Sequence, residues 1–360
     1  MGPSGRSALA VLACTLAWLS LCAGGASAST LLVEGAGDGH GVGMSQDGAL
    51  GYAQHGYGDA QILAHYYTGT TLGQAPANAV IKVLEGAKVV SVPLERYVRG
   101  VVSAEMPASW PAAALQAQAI AIRTYALTAD AGSSRFDVYS DTRSQVYRGA
   151  AAETASTNAA VAATAGQIVE YGGQPAITYY FASSGGMTED NENSFLGSTP
   201  EPWLRGVEDP YETSSSSWKL SMSFATASAR LSGLVKGSLR GIEVLRRGVS
   251  PRIVAAEVLG SRGETPVSGP ELEARLGLQS AWAYFTVISG ASVTREPDLS
   301  GQPAFTPSPP ESPAIAPASS SSSASETAMS ASASGGTGAG GATPAPAPSP
   351  AYDTGGAPAE

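Results

Sequence analysis

Glu105 stands where a carboxyl group has a chemical use. It falls in the last turn of a helical pattern in which Leu94, Tyr97, Val98, Val101 and Val102 recur at helical spacing. A carboxylate there meets the negative end of the helix dipole and has Val101, Val102, Met106 and Trp110 near it in sequence. Both surroundings favour the protonated acid. A carboxylic acid kept protonated near neutrality is what glycosidic bond cleavage requires, because the departing oxygen must receive a proton as the bond breaks. Residue types alone leave a plainer reading open, an ordinary surface glutamate at a helix end.

Other candidates divide in the same way. Arg123 is the one charged residue among Ala, Leu, Ile and Gln in the next helical stretch. It is expected either to pair with a carboxylate in the core or to hold substrate or Glu105 in a cleft. Tyr125, Tyr147 and Tyr180 can stack on sugar rings or fill the core with their hydroxyls satisfied. The glycine loop with His40 and Gln46, and the Ser183–Gly186 turn with Ser184, are expected to line a cleft, since loops carry function on rigid scaffolds. His40, His55 and His65 are too scattered for a metal motif, and no Gly-x-Ser-x-Gly elbow is present. Neither a metal nor an organic cofactor is expected.

These residues need elements to hold them. Leu31–Val33 is a strand candidate leading into a loop with glycine at every second position from Gly35 to Gly43, where backbone can approach a neighbour closely. Met44 stands where a dinucleotide fingerprint needs glycine, so that motif is excluded. Helices are expected over 45–54 and from Asp59, as N-cap, to Tyr67. Val80–Leu84 and Lys88–Val92 read as a hairpin around Glu85-Gly86. Pro93 opens the helix that carries Glu105, and Pro107 ends it. Pro111 starts another through Thr128, apolar on most sides and therefore buried. The spacing further predicts strands over 166–171, 176–181, 241–245, 253–259 and 284–288, and a helix over 271–276.

The 360 residues carry a formal net charge of -10 and only 14% charged residues. Nucleic acid is an improbable partner for such a chain. Both cysteines, Cys14 and Cys22, lie in an opening stretch that reads as a secretory signal. Arg6 precedes an apolar run from Ala8 to Ala23, and small residues end at Ala28. Cleavage there would leave a secreted or wall-associated protein with no cysteine and no span of the roughly 20 apolar residues that a membrane needs. Residues 297–360 are rich in Pro, Ser, Ala and Gly and are expected to form a disordered tail. The parts expected are thus a signal (1–28), one mixed α+β domain (29–296, with the glycine-rich module 35–72 at its start) and the tail.

Several long motifs then agree with one family. The run from Leu94-Glu95-Arg96-Tyr97 through Ala104-Glu105-Met106-Pro107 to Trp110-Pro111 closely resembles the stage II sporulation protein D family (SpoIID/LytB). So do Leu115–Ala119, Arg123–Leu127, Ser144-Gln145-Val146-Tyr147-Arg148-Gly149, Ser183–Gly186, Val207–Tyr211 and Gly39–Gln46.

That resemblance implies a SpoIID-type catalytic domain and lytic transglycosylase activity on peptidoglycan glycan strands. Glu105 would act as acid and then as base, giving 1,6-anhydro-muramic acid ends. Arg123, Tyr125, His40, Gln46, Gln145, Tyr147, Ser183 and Ser184 are the expected substrate-binding residues. Some members carry metal-binding cysteines near the Gln-Val-Tyr segment, where this chain has Ser140 and Ser144. The family name also covers a second role, a non-catalytic wall-binding protein that activates a separate cell-wall amidase. In many relatives the Gly-His-Gly-Val-Gly-Met-Ser-Gln segment follows the last strand. Here it comes first, so Leu31–Leu72 is expected to pack beside Tyr284–Ile288, with the His40 loop facing Glu105.

Overall fold

The computed structural model describes residues 29–132, 134–212, 216–289 and 292–295. The expected signal segment and tail lie outside them. The chain opens with β1 (Thr30–Ala36), β2 (Met44–Ser45), α1 (Gln46–Gln54), α2 (Asp59–Tyr66) and β3 (Thr71–Gln74). The hairpin β4 (Val80–Glu85) and β5 (Lys88–Pro93) leads into α3 (Leu94–Glu105), α4 (Ala112–Thr128) and β6 (Val138–Tyr139). Then come α5 (Ala155–Ala163), β7 (Gln167–Tyr171), β8 (Gln174–Pro175), β9 (Tyr180–Phe181) and α6 (Asn191–Ser194). The last third holds β10 (Ser217–Ser223), α7 (Phe224–Arg230), β11 (Leu239–Arg247), β12 (Ile253–Gly260), β13 (Gly263–Ser268), α8 (Gly269–Leu276), β14 (Ala283–Ser289) and β15 (Ser292–Arg295). The architecture is α+β, with mostly antiparallel sheets.

Apolar side chains gather into two clusters. One surrounds α4 and takes in α1, α2, α3, α5 and the β4–β5 hairpin. As its composition predicts, α4 is buried on nearly every side, from Ala114 to Ala126. The other cluster joins Leu31 and Val33 of β1 to β11, β12, α8 and β14. Its main sheet runs β10-β1-β14-β15. β1 pairs antiparallel with β14, Leu31 opposite Val287 and Val33 opposite Phe285. The N-terminal segment thus contributes its strand to the second cluster and its helices to the first, beside Tyr284–Ile288 as expected.

The alternating glycines have a backbone cause. Gly37, Gly39, Gly41 and Gly43 all hold positive φ, between 76° and 98°. A Cβ at Gly41 would fall within 2.9 Å of three atoms of the Arg252 side chain, and one at Gly43 would run into the Tyr179 carbonyl. Only glycine satisfies both conditions.

Two local expectations are corrected. Asp59 is the first helical residue of α2 rather than its cap. Gly58 takes the cap position, and its N–H donates to the Gln61 side chain at 3.0 Å. The strand expected over 176–181 pairs only at Tyr180–Phe181, because its carbonyls are taken elsewhere. Ile177 O accepts from Trp203 Nε1, and Tyr179 O, which accepts from Met44 N in the β2–β9 pairing, also accepts from the Tyr67 hydroxyl. Among the described residues no helix is long and apolar enough to cross a membrane.

Candidate active site

Glu105 is the last residue of α3. Met106 turns the chain to extended geometry (φ -128°, ψ 142°) before Pro107, which leaves the glutamate side chain at the helix end. The side chain is half-buried, and Oε1 accepts a hydrogen bond from Val146 N at 2.8 Å. Burial pushes the carboxyl above the ordinary glutamate range, while the Val146 N–H, Gln46, Tyr180 and the positive charge of Arg148 pull the other way. The direction is the one expected, and desolvation, one of the two expected causes, is the largest.

Two elements distant in sequence complete the surroundings. β2 and β9 form a two-residue parallel pair, Met44 opposite Tyr180 and Ser45 opposite Phe181. Ser45 also caps α1, its Oγ accepting from Gly48 N at 3.1 Å. This makes Gln46 the first helical residue, and its Nε2 donates to the Glu105 main-chain oxygen at 3.4 Å. Tyr180 comes next to the carboxyl from the other strand of the pair. Its hydroxyl is buried, faces Glu105 and has no hydrogen-bond partner among the described residues. Such a group costs stability and calls for an explanation.

Tyr97, Tyr125, Gln145 and Tyr147 join the cluster. The Tyr97 hydroxyl donates to Gln145 Oε1 at 2.9 Å, leaving the buried Gln145 Nε2 unpaired. The Tyr147 ring stacks on Tyr97 with centroids 5.2 Å apart. Tyr125 and Glu105 lie near Tyr97, and burial holds the Tyr97 hydroxyl in its neutral form. In the sequence Tyr97 stands out only by its helical spacing; its place eight residues before Glu105 on the same helix is the signal that joins it to the site.

The remaining expected substrate residues lie elsewhere. Arg123 is fully buried and makes a two-pronged pair with Glu95, Nε to Oε1 at 2.7 Å and one terminal nitrogen to Oε2 at 2.8 Å. Its other terminal nitrogen donates to Gln167 O at 2.9 Å, so the core-pairing alternative describes it. The His40 ring packs against Tyr179, Phe181 and Phe195. Burial, then the charge of Arg252, holds the ring's pKa down to about 3, and its Nδ1 accepts from Val42 N. A neutral ring packed in this way, its one proton on Nε2, braces the glycine loop and is not an acid near neutral pH.

Ser183 and Ser184 are buried in a carboxylate network instead of lining a cleft. Glu212 accepts from Ser183 Oγ at 2.6 Å, from Gly185 N at 3.0 Å and from Ser45 Oγ at 3.1 Å. The Ser184 hydroxyl lies within hydrogen-bond reach of both Glu212 and Asp209. Burial, followed by the charge of Glu212, pushes the Asp209 carboxyl up to about 7. The network ties the α1 cap to the Ser-Ser-Gly-Gly turn and thereby fixes Gln46. Glu212 went unnoticed in the sequence although it directly follows the Val-Glu-Asp-Pro-Tyr motif.

An α+β scaffold that buries one glutamate among tyrosine hydroxyls and glutamine amides presents a site with a single proton-carrying acid. Comparison with known proteins agrees with the family expected. Residues 85–171, from the end of β4 through β7, match the family model of the stage II sporulation protein, SpoIID. The chain carries a SpoIID domain and is a relative of the stage II sporulation D proteins. It is 29% identical to stage II sporulation protein D of Bacillus subtilis (strain 168) over 59% of this chain and 65% of that protein. Against stage II sporulation protein D of Bacillus amyloliquefaciens the identity is 27%, with the same coverage. It is also 32% identical to the amidase enhancer of B. subtilis over 46% of this chain and 25% of the relative. The chain thus spans about two thirds of the length of the sporulation relatives and a quarter of the enhancer.

Proposed function

We propose that the protein is a secreted lytic transglycosylase that cleaves peptidoglycan glycan strands, with Glu105 as acid and then base. The observation that carries this reading is a half-buried glutamate at a helix end whose pKa is raised and whose Oε1 is already engaged by Val146 N–H. The proton then resides on Oε2. In the first step Oε2 gives that proton to the oxygen leaving the muramic acid anomeric carbon, and the glycosidic bond breaks. The Val146 N–H, Gln46 and Arg148 stabilise the carboxylate that forms. In the second step Glu105 takes the proton of the same sugar's 6-hydroxyl as O6 bonds to the anomeric carbon. A 1,6-anhydro ring results, the acid is regenerated and no water is consumed. One carboxyl suffices, unlike the paired carboxyls of hydrolytic glycosidases.

A second reading rests on the similarity to an amidase enhancer: a wall-binding protein that stimulates a separate amidase. Purified protein incubated with glycan strands, alone and with a cell-wall amidase, separates the two. Anhydro ends formed without amidase support the enzyme. Faster peptide release with no anhydro ends supports the activator.

A further inference from the structure

We propose that a cavity at the N-terminal end of α3 is a subsite for a carboxylate carried by the glycan; the inference rests on the proposed action on glycan strands. The cavity encloses about 450 Å³ between β5 and the segment after Val146, and its walls include Glu85, Ser91, Arg96, Tyr147 and Arg148. It is polar, and it shares a wall with the candidate active site: Val146 N–H holds Glu105, and Tyr147 is the next residue. Nine residues separate Arg96 from Glu105 along α3, about 14 Å at the helical rise. A strand bound over Glu105 reaches the cavity within a few sugars.

Charge defines the ligand. Several arginines of this acidic chain are matched to carboxylates, among them Arg123 to Glu95, Arg99 to Glu153, Arg143 to Asp141 and Arg205 to Glu192. Arg96 makes no ion pair with a carboxylate among the described residues, and Arg148 reaches Glu105 only through its charge; both line one cavity. A guanidinium pair is suited to a planar carboxylate, which it grips by paired N–H donors. Glu85 in the same wall offsets one of the two charges and disfavours a polyanion such as a phosphate chain. Tyr147, held flat on Tyr97, supplies an aromatic wall for a sugar face. On peptidoglycan the carboxylate has two sources, the lactyl group of muramic acid and the stem peptide.

Calorimetric titration of the Glu105→Gln protein, which cannot turn over, tests this with three probes: a neutral N-acetylglucosamine oligomer, glycan stripped of peptides, and glycan with stem peptides. We expect Arg96→Ala/Arg148→Ala, added to Glu105→Gln, to weaken one carboxylate-bearing probe at least about tenfold. Binding of the neutral oligomer should not change. The probe that loses affinity identifies the source. Both side chains are exposed, so thermal melting should match that of the parent. Equal loss for the neutral oligomer, or no loss for either charged glycan, overturns the subsite. If the wild-type enzyme still yields anhydro ends in that case, the transglycosylase reading stands without it. Absence of both anhydro ends and glycan binding removes both.

Discussion

At the scale of single residues, the account turns on the protonation of Glu105. Its folded pKa is raised, so the acid form is complete at low pH and is lost as pH rises through that value. The rate of glycan cleavage should therefore fall on the alkaline side, which a pH profile of kcat/KM measures. Tyr180→Phe makes a sharper test. Its hydroxyl faces Glu105 and restrains the rise of the carboxyl pKa, so the variant should move the alkaline limb to higher pH and lower kcat. Melting temperature should change little, because the hydroxyl makes no well-formed hydrogen bond in the folded protein. A variant with unchanged profile and lower stability would make Tyr180 a core residue. Glu105 itself was legible in the sequence from its helix end and its motif. Tyr180 was visible only as an aromatic, since burial and the direction of a hydroxyl come from contacts across more than 70 positions.

At the scale of elements, the local pattern was a good guide where apolar periodicity decides the outcome, as in α3 and α4, both bounded by prolines. It failed where hydrogen bonds go to side chains instead of ladders. The segment 176–181 is apolar enough to be buried, yet Trp203 and Tyr67 occupy its carbonyls. Arg123 illustrates a partner that periodicity cannot name: Glu95, 28 positions away, on the adjoining helix. The pair is asymmetric, the Arg123 side chain 0% exposed and that of Glu95 37%. Glu95→Ala strands a buried cation and should destabilise by about 3 kcal/mol. Arg123→Met leaves a carboxylate that can turn toward water and should cost less. Urea unfolding of both variants checks the order, and the reverse order would contradict this account of the core.

At the scale of the whole molecule, segments far apart in the chain meet at the network of Ser45, Ser183, Ser184, Asp209 and Glu212. Asp209 titrates at about 7 when folded, against about 3.9 unfolded. The stability it contributes is complete below pH 4 and is lost as pH rises through 7. Asp209→Asn removes that dependence, so the melting temperature of the wild type relative to the variant should drop between pH 4 and pH 8. A constant difference would mean that Asp209 stays ionised throughout. The resemblance implied that Leu31–Leu72 packs beside Tyr284–Ile288, and β1 pairs with β14 there. The division of the core into two clusters was not, since apolar composition does not say which residues share a cluster.

Acting as proposed, Glu105 cleaves glycan with O6 of the sugar, and not water, as the attacking oxygen. Digestion of peptidoglycan strands in ¹⁸O-enriched water, followed by mass spectrometry of the new ends, tests it most directly. The account predicts anhydro-muramic ends without ¹⁸O from the wild type and none from Glu105→Gln. Reducing ends carrying ¹⁸O, or anhydro ends formed equally by the glutamine variant, would contradict it.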